Sequence, residues 1–133
     1  MHKRNFLHRD IKPENFLIGC TKKINLIYVI DFGLSKRFIC PKANEHISMK
    51  KTKFIGTPRY SSVNAHMGLE QSRRDDLEAI GNVLIYFYKG GFLPWMTAEM
   101  DKNDDKKDLL KAHQNTSMEQ LLDGLPEWIC KYM

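Results

Sequence analysis

Residues 72–88, SRRDDLEAIGNVLIYFY, constrain the fold more than any other stretch of the chain. Ser72 stands three residues before Asp75, the spacing at which a hydroxyl and an acid cap a helix start by exchanging bonds with each other's backbone amides. From there Leu77, Ile80, Gly81, Leu84 and Tyr88 fall on one helical face, while Val83, Ile85, Tyr86 and Phe87 make the other side apolar too. A helix apolar nearly all round has no face to give to water, so the pattern predicts a buried core helix that other elements enclose. Gly90-Gly91 ends it, and Pro94-Trp95 starts a new path.

The remaining elements are shorter. Residues 1–5 read as the frayed end of a helix. Residues 16–18 and 26–30 read as two strands, and the polar, turn-rich residues 19–25 between them make a hairpin the simplest connection. Residues 34–55 lack a usable period and read as a long surface loop, which residues 56–60, Gly-Thr-Pro-Arg-Tyr, close with turn chemistry. Residues 99–108 are charged and expected to be exposed; Leu109, Leu110 and Ala112 suggest a short helix, and residues 126–133 begin another. With no internal repeat and no linker, the 133 residues are one domain or a piece of one, mainly α with a small β-hairpin.

Composition narrows the partners. No run of ~18 apolar residues spans a bilayer, and the basic start MHKRN lacks the apolar core of a signal peptide. Cys20, Cys40 and Cys130 are odd in number, widely spaced and without paired-ligand spacing, so reduced thiols and an intracellular setting, cytoplasm and/or nucleus, are expected. Residues 1–60 hold 13 Lys and Arg against 4 Asp and Glu, whereas residues 61–133 hold 8 against 12. A basic first half attracts acidic peptides, phosphates or nucleic acid, although a solvated face is the plainer explanation. No basic stretch is interleaved with stacking aromatics, which argues against nucleic acid.

The chemistry gathers at the start. His8-Arg9-Asp10-Ile11-Lys12-Pro13-Glu14-Asn15 places an acid in a tight loop, a cation two residues on and an amide five residues on. Asp31-Phe32-Gly33 follows sixteen positions after Asn15, across the expected hairpin, whose open end brings Asn15 and Asp31 together. Two carboxylates and an amide oxygen near one another suit magnesium, a hard cation that shares oxygen ligands with substrate phosphates. Taken singly, Asp10 reads as a surface acid, Lys12 as a solvated cation, Asn15 as a turn residue, His8 as a structural histidine and Asp31 as a turn or cap.

Jointly they are harder to dismiss. The run HRDxKxxN, then DFG, then GTPxY, then a capped helix carrying Asp75-Asp76, resembles the large lobe of eukaryotic Ser/Thr protein kinases. Small-molecule phosphotransferases of the aminoglycoside kind share an Asp and an Asn at similar spacing, but not the Arg-Asp pair, the Gly-Thr-Pro turn or the long basic loop. Ser62-Val63-Asn64, the run from Glu70 to Glu78 with Gly81, and Leu93-Pro94-Trp95 resemble the casein kinase I group; Val63-Asn64-Ala65-His66 leans towards tau-tubulin kinases, with vaccinia-related kinases also near.

The resemblance implies an incomplete kinase domain over residues 1–133, ATP and Mg2+ as cofactors, and a monomer acting on acidic or phosphorylated proteins. It implies that Asp10 handles the substrate hydroxyl, that Lys12 neutralises the moving phosphoryl group, and that Asn15 and Asp31 hold magnesium. Thr57 is expected to bond to the Asp10 and Lys12 pair; Leu17 and Ile30 line the adenine pocket. His8 and Phe32 belong to a packed column, Arg9 and Gly33 complete their motifs, and Asp76, preferred to Asp75 on its spacing to Gly81, anchors the catalytic loop. Arg59, Lys50, Lys51 and Lys106 are the expected anion site, diluted by Asp101, Asp104, Asp105 and Asp108. The Gly-rich loop and strand Lys of a kinase are not among these residues, so an inactive fragment is expected; a kinase-derived binding module and a decayed gene product are the alternatives.

Overall fold

A computed structural model describes residues 1–96 and 106–133, with only the backbone of Lys106. The side chain of Lys106, and with it Asp101, Asp104, Asp105 and most of the charged stretch 99–108, lie outside the described residues.

Among the described residues five helices and two small antiparallel sheets make the fold. The helices are α1 (Val63–His66), α2 (Arg73–Tyr88), α3 (Lys106–Asn115), α4 (Met118–Leu122) and α5 (Glu127–Tyr132). The strands are β1 (Phe6–Leu7), β2 (Phe16–Ile18), β3 (Ile27–Val29) and β4 (Lys36–Arg37). Strands β2 and β3 form the expected hairpin, with Phe16 opposite Val29 and Ile18 opposite Ile27.

Helix α2 starts as its cap predicts: Asp75 Oδ2 accepts the Ser72 backbone N–H at 2.7 Å, and the reciprocal bond closes the box. Its buried face includes Ala79, Val83 and Ile85, which join Ile11, Tyr60, Leu93, Trp95, Leu109, Leu121 and Ile129 in one core, and the buried Asn82 beside them donates to the Tyr60 carbonyl at 3.1 Å. Each aliphatic side chain buried there contributes roughly 1.5–3 kcal/mol. The expectation of all-round burial is corrected: Leu77 is 47% exposed, Phe87 58% and Tyr88 55%. The turn at Pro58–Tyr60 and helix α5 pack against α2, while Leu77, Phe87 and Tyr88 face outwards.

The expectation of a long loop over residues 34–55 is corrected as well. β1 pairs with β4, Leu7 opposite Lys36, and Phe38 is buried beside it. Isolated bridges join Ile39 to His46 and Lys51 to Leu69. Period-based reading missed these ties because each ladder is only one or two residues long. Residues 1–5 hold a 3-10 turn, His2–Arg4, closed by Asn5 at φ 63°. Helices α1 and α4 were also too short for periodicity to find; Ser62 and Ser117 cap them.

Candidate active site

The loop between β1 and β2 is suspended from α2. Asp76 Oδ2 accepts the His8 backbone N–H at 2.8 Å, and Oδ1 accepts the Arg9 backbone N–H at 2.9 Å. A buried carboxylate needs such donors, and loop amides supply them without bringing a counter-charge. Asp75 is committed elsewhere, taking the Ser62 hydroxyl at 2.6 Å and the cap amide of Ser72. Arg9 sits at φ 68°, and its Nε donates to the Leu34 carbonyl at 2.7 Å, tying the loop to the segment after Gly33.

His8 is almost fully buried, with one tautomer dictated by its neighbours. Its Nδ1 accepts the Asp10 amide at 3.3 Å, so Nε2 carries the proton and donates to the Ile30 carbonyl at 3.0 Å. That bond joins the loop to the far strand of the hairpin, while the His8 ring packs on Phe32 with centroids 5.7 Å apart.

Asp10, only 6% exposed, is the centre of the site. Its Oδ1 accepts the Thr57 hydroxyl at 2.7 Å, its Oδ2 lies 2.9 Å from Lys12 Nζ, and Asn15 Nδ2 donates to its carbonyl at 2.8 Å. Burial pushes the Asp10 carboxyl up, but the Lys12 ammonium and the Thr57 and Asn15 donors outweigh it and hold it below its usual value. Lys12 is raised in turn, chiefly by its bond to Asp10, with Glu14 and Asp31 adding to the field. Both groups are therefore ionised at neutral pH. Thr57 reaches Asp10 because Gly56, at φ 113°, lets the backbone approach the loop; a Cβ there would meet the Arg9 carbonyl oxygen at 2.5 Å.

Asn15 and Asp31 meet through the backbone, where the Ile30 N–H donates to the Asn15 carbonyl at 3.0 Å. Asp31, at φ 61°, turns Oδ1 back to the Gly33 amide at 3.2 Å. The two oxygens of Asp10 are engaged by Thr57 and Lys12. Among the described residues no cluster of three His, Cys, Asp or Glu could hold a metal ion. One carboxylate, Asp31, and one amide oxygen, Asn15, still fit magnesium, which takes few protein ligands when phosphates supply the others.

Leu17 is 50% exposed and Ile30 37%, both on the open hairpin. Of the expected anion-site residues, Lys50 and Lys51 lie on the stretch that pairs with Leu69 and Glu70, and both are exposed. Arg59 sits in the following turn, its carbonyl bonded by Trp95 Nε1 at 2.9 Å. Sequence reasoning missed His2, whose Nε2 donates to Asp76 Oδ2 at 2.8 Å, and the buried Glu70, paired with Lys36 at 2.8 Å. His2 falls in no motif, its only trace a histidine six residues before His8, and Glu70 opens the run read for its resemblance without a role attached to it.

The sequence model for the protein kinase domain matches residues 1–129, nearly the whole chain. With the loop, the hairpin and the Asp10 cluster arranged as above, that match makes this chain a member of the protein kinase domain family.

Proposed function

We propose that the site belongs to a Ser/Thr protein kinase of the casein kinase I type, transferring the γ-phosphoryl group of Mg-ATP to acidic or primed proteins inside the cell. The observation that carries this reading is the clasp on Asp10: a hydroxyl at 2.7 Å on one oxygen and a lysine ammonium at 2.9 Å on the other. A carboxylate held ionised beside a permanent cation suits a reaction that needs positioning and charge neutralisation rather than a strong base. Asp10 orients the incoming Ser or Thr hydroxyl and accepts its proton as the new O–P bond forms. Lys12 offsets charge on the phosphoryl oxygens while the bond to the leaving diphosphate breaks. Asn15 and Asp31 are the residues that would hold magnesium, which supplies charge neutralisation across the phosphates. Lys50, Lys51 and Arg59 give the basic side on which acidic residues of a substrate would lie.

The test is a chimaera carrying the Gly-rich loop, strand Lys and helix Glu of a casein-kinase-I-type small lobe ahead of this chain. It is expected to phosphorylate an acidic peptide, and Asp10→Asn to cut the rate by about 10²-fold or more. The 133 residues alone are expected to show no transfer. A chimaera that binds Mg-ATP yet phosphorylates nothing, or is indifferent to Asp10→Asn, would refute the proposal.

A further inference from the structure

We propose that His113 is a positioning residue that ties helix α3 to the Thr57 turn, and that acid releases this tie. Two carbonyls of the turn are held by side chains: His66 Nε2 donates to the Pro58 carbonyl at 2.7 Å, and Trp95 Nε1 to the Arg59 carbonyl at 2.9 Å. His113 touches both holders. Its ring stacks on Trp95 with centroids 3.7 Å apart and meets the edge of His66 at 6.1 Å. The turn continues directly into Thr57, whose hydroxyl holds Asp10. Helix α3, which packs on α1 and on this turn, thus reaches the catalytic carboxylate through four side chains.

The tie works only while His113 is neutral. The residue is 8% exposed, and its Nδ1 is sealed in the interior with no hydrogen-bond partner among the described residues. A proton there would be buried without an acceptor, a cost the open form avoids by exposing the ring to water. Among the described residues the surroundings weigh towards positive charge. His66 on α1 opposes a second positive charge, Arg59 follows Pro58 in the turn, and Arg74 on α2 and Tyr132 on α5 line the cavity of about 700 Å³ that His113 also borders. Among the described residues Glu78 is the acid on that cavity, and its Oε1 accepts the Val63 N–H at 3.1 Å. Burial, with His66 adding to it, lowers the His113 pKa from 6.5 to about 4. The sign follows: the closed form takes up its proton only near pH 4, the open form near pH 6.5, so falling pH favours opening. Linkage over that interval shifts the equilibrium towards opening by roughly 30-fold at pH 5 relative to pH 7.5.

The consequence for catalysis rests on the phosphotransfer reading, but the release does not, and its test needs no activity. Amide hydrogen exchange of the full chain is measured at pH 7.5 and pH 5 and corrected for the intrinsic rate. Amides of α3 and of Tyr60 and Ser61 are expected to lose roughly 30-fold of their protection at pH 5, while those of residues 79–85 in α2 keep theirs. His113→Phe, which keeps a ring on Trp95 but cannot take a proton, is expected to abolish the loss. Equal loss in the variant, loss shared with α2, or no loss would overturn the proposal. Should the variant fail to fold, nitrogen-15 shifts of the wild-type imidazole decide: a His113 midpoint near 6.5 with protection unchanged would overturn it too.

Discussion

Asp76 serves three donors with two oxygens: the amides of His8 and Arg9 and the imidazole of His2. Asp76→Ala would orphan two amides at the loop's tightest point and is expected to cost about 3 kcal/mol in urea unfolding, with Asp76→Asn costing less. A loss below about 1 kcal/mol for the alanine variant would show that water replaces the carboxylate and that the loop is held elsewhere. The family resemblance singled out Asp76 over Asp75 by its spacing to Gly81, and the two adjacent carboxylates do face different neighbours, Asp76 the loop amides and Asp75 the Ser62 hydroxyl and the cap. His2 was not legible in this way. Its partner lies 74 residues away, and no local rule connects a single histidine to a distant acid.

At the scale of elements, legibility followed length. Helix α2 announced itself through sixteen residues of pattern and a cap, and the hairpin through two apolar strands around polar turns. β4, α1 and α4 did not, since two to five residues hold barely one period, too little for a pattern to repeat. The segment after the hairpin is instead pinned at single points, Gly56 among them, where its backbone passes the Arg9 carbonyl with no room for a side chain. Gly56→Ala would force a side chain into φ 113° and against the Arg9 carbonyl. We expect it to destabilise the chain by about 2 kcal/mol, the scale of a strained backbone site. Exchange of the Tyr60 and Ser61 amides should rise, and protection that matches the wild type would contradict the close approach.

For the molecule as a whole, apolar surface is unevenly distributed. Leu17, Ile18, Leu26, Ile27, Tyr28 and Val29 are all at least 37% exposed on one two-stranded hairpin. Such a hairpin is marginal alone, and both its edges lack a ladder partner among the described residues. The chain is therefore expected to self-associate, and Ile18→Lys with Ile27→Lys to lower its light scattering several-fold at equal concentration without altering the α2 amides. Scattering unchanged by the pair would place the sticky surface elsewhere, with Phe87, Tyr88 and Trp128 the next suspects.

Residue order alone determined the capped helix, the hairpin and the run of polar groups around Asp10, because each depends on neighbours within a turn or a ladder. It also carried the family, whose motifs are local strings. Only the tertiary structure decided which oxygens of Asp10 are spoken for, which side of α2 is dry, and that His2, Glu70 and His113 have work to do. Those outcomes turn on what a side chain meets after the chain has folded back on itself, and hydrogen bonds and burial are settled by that meeting rather than by sequence distance.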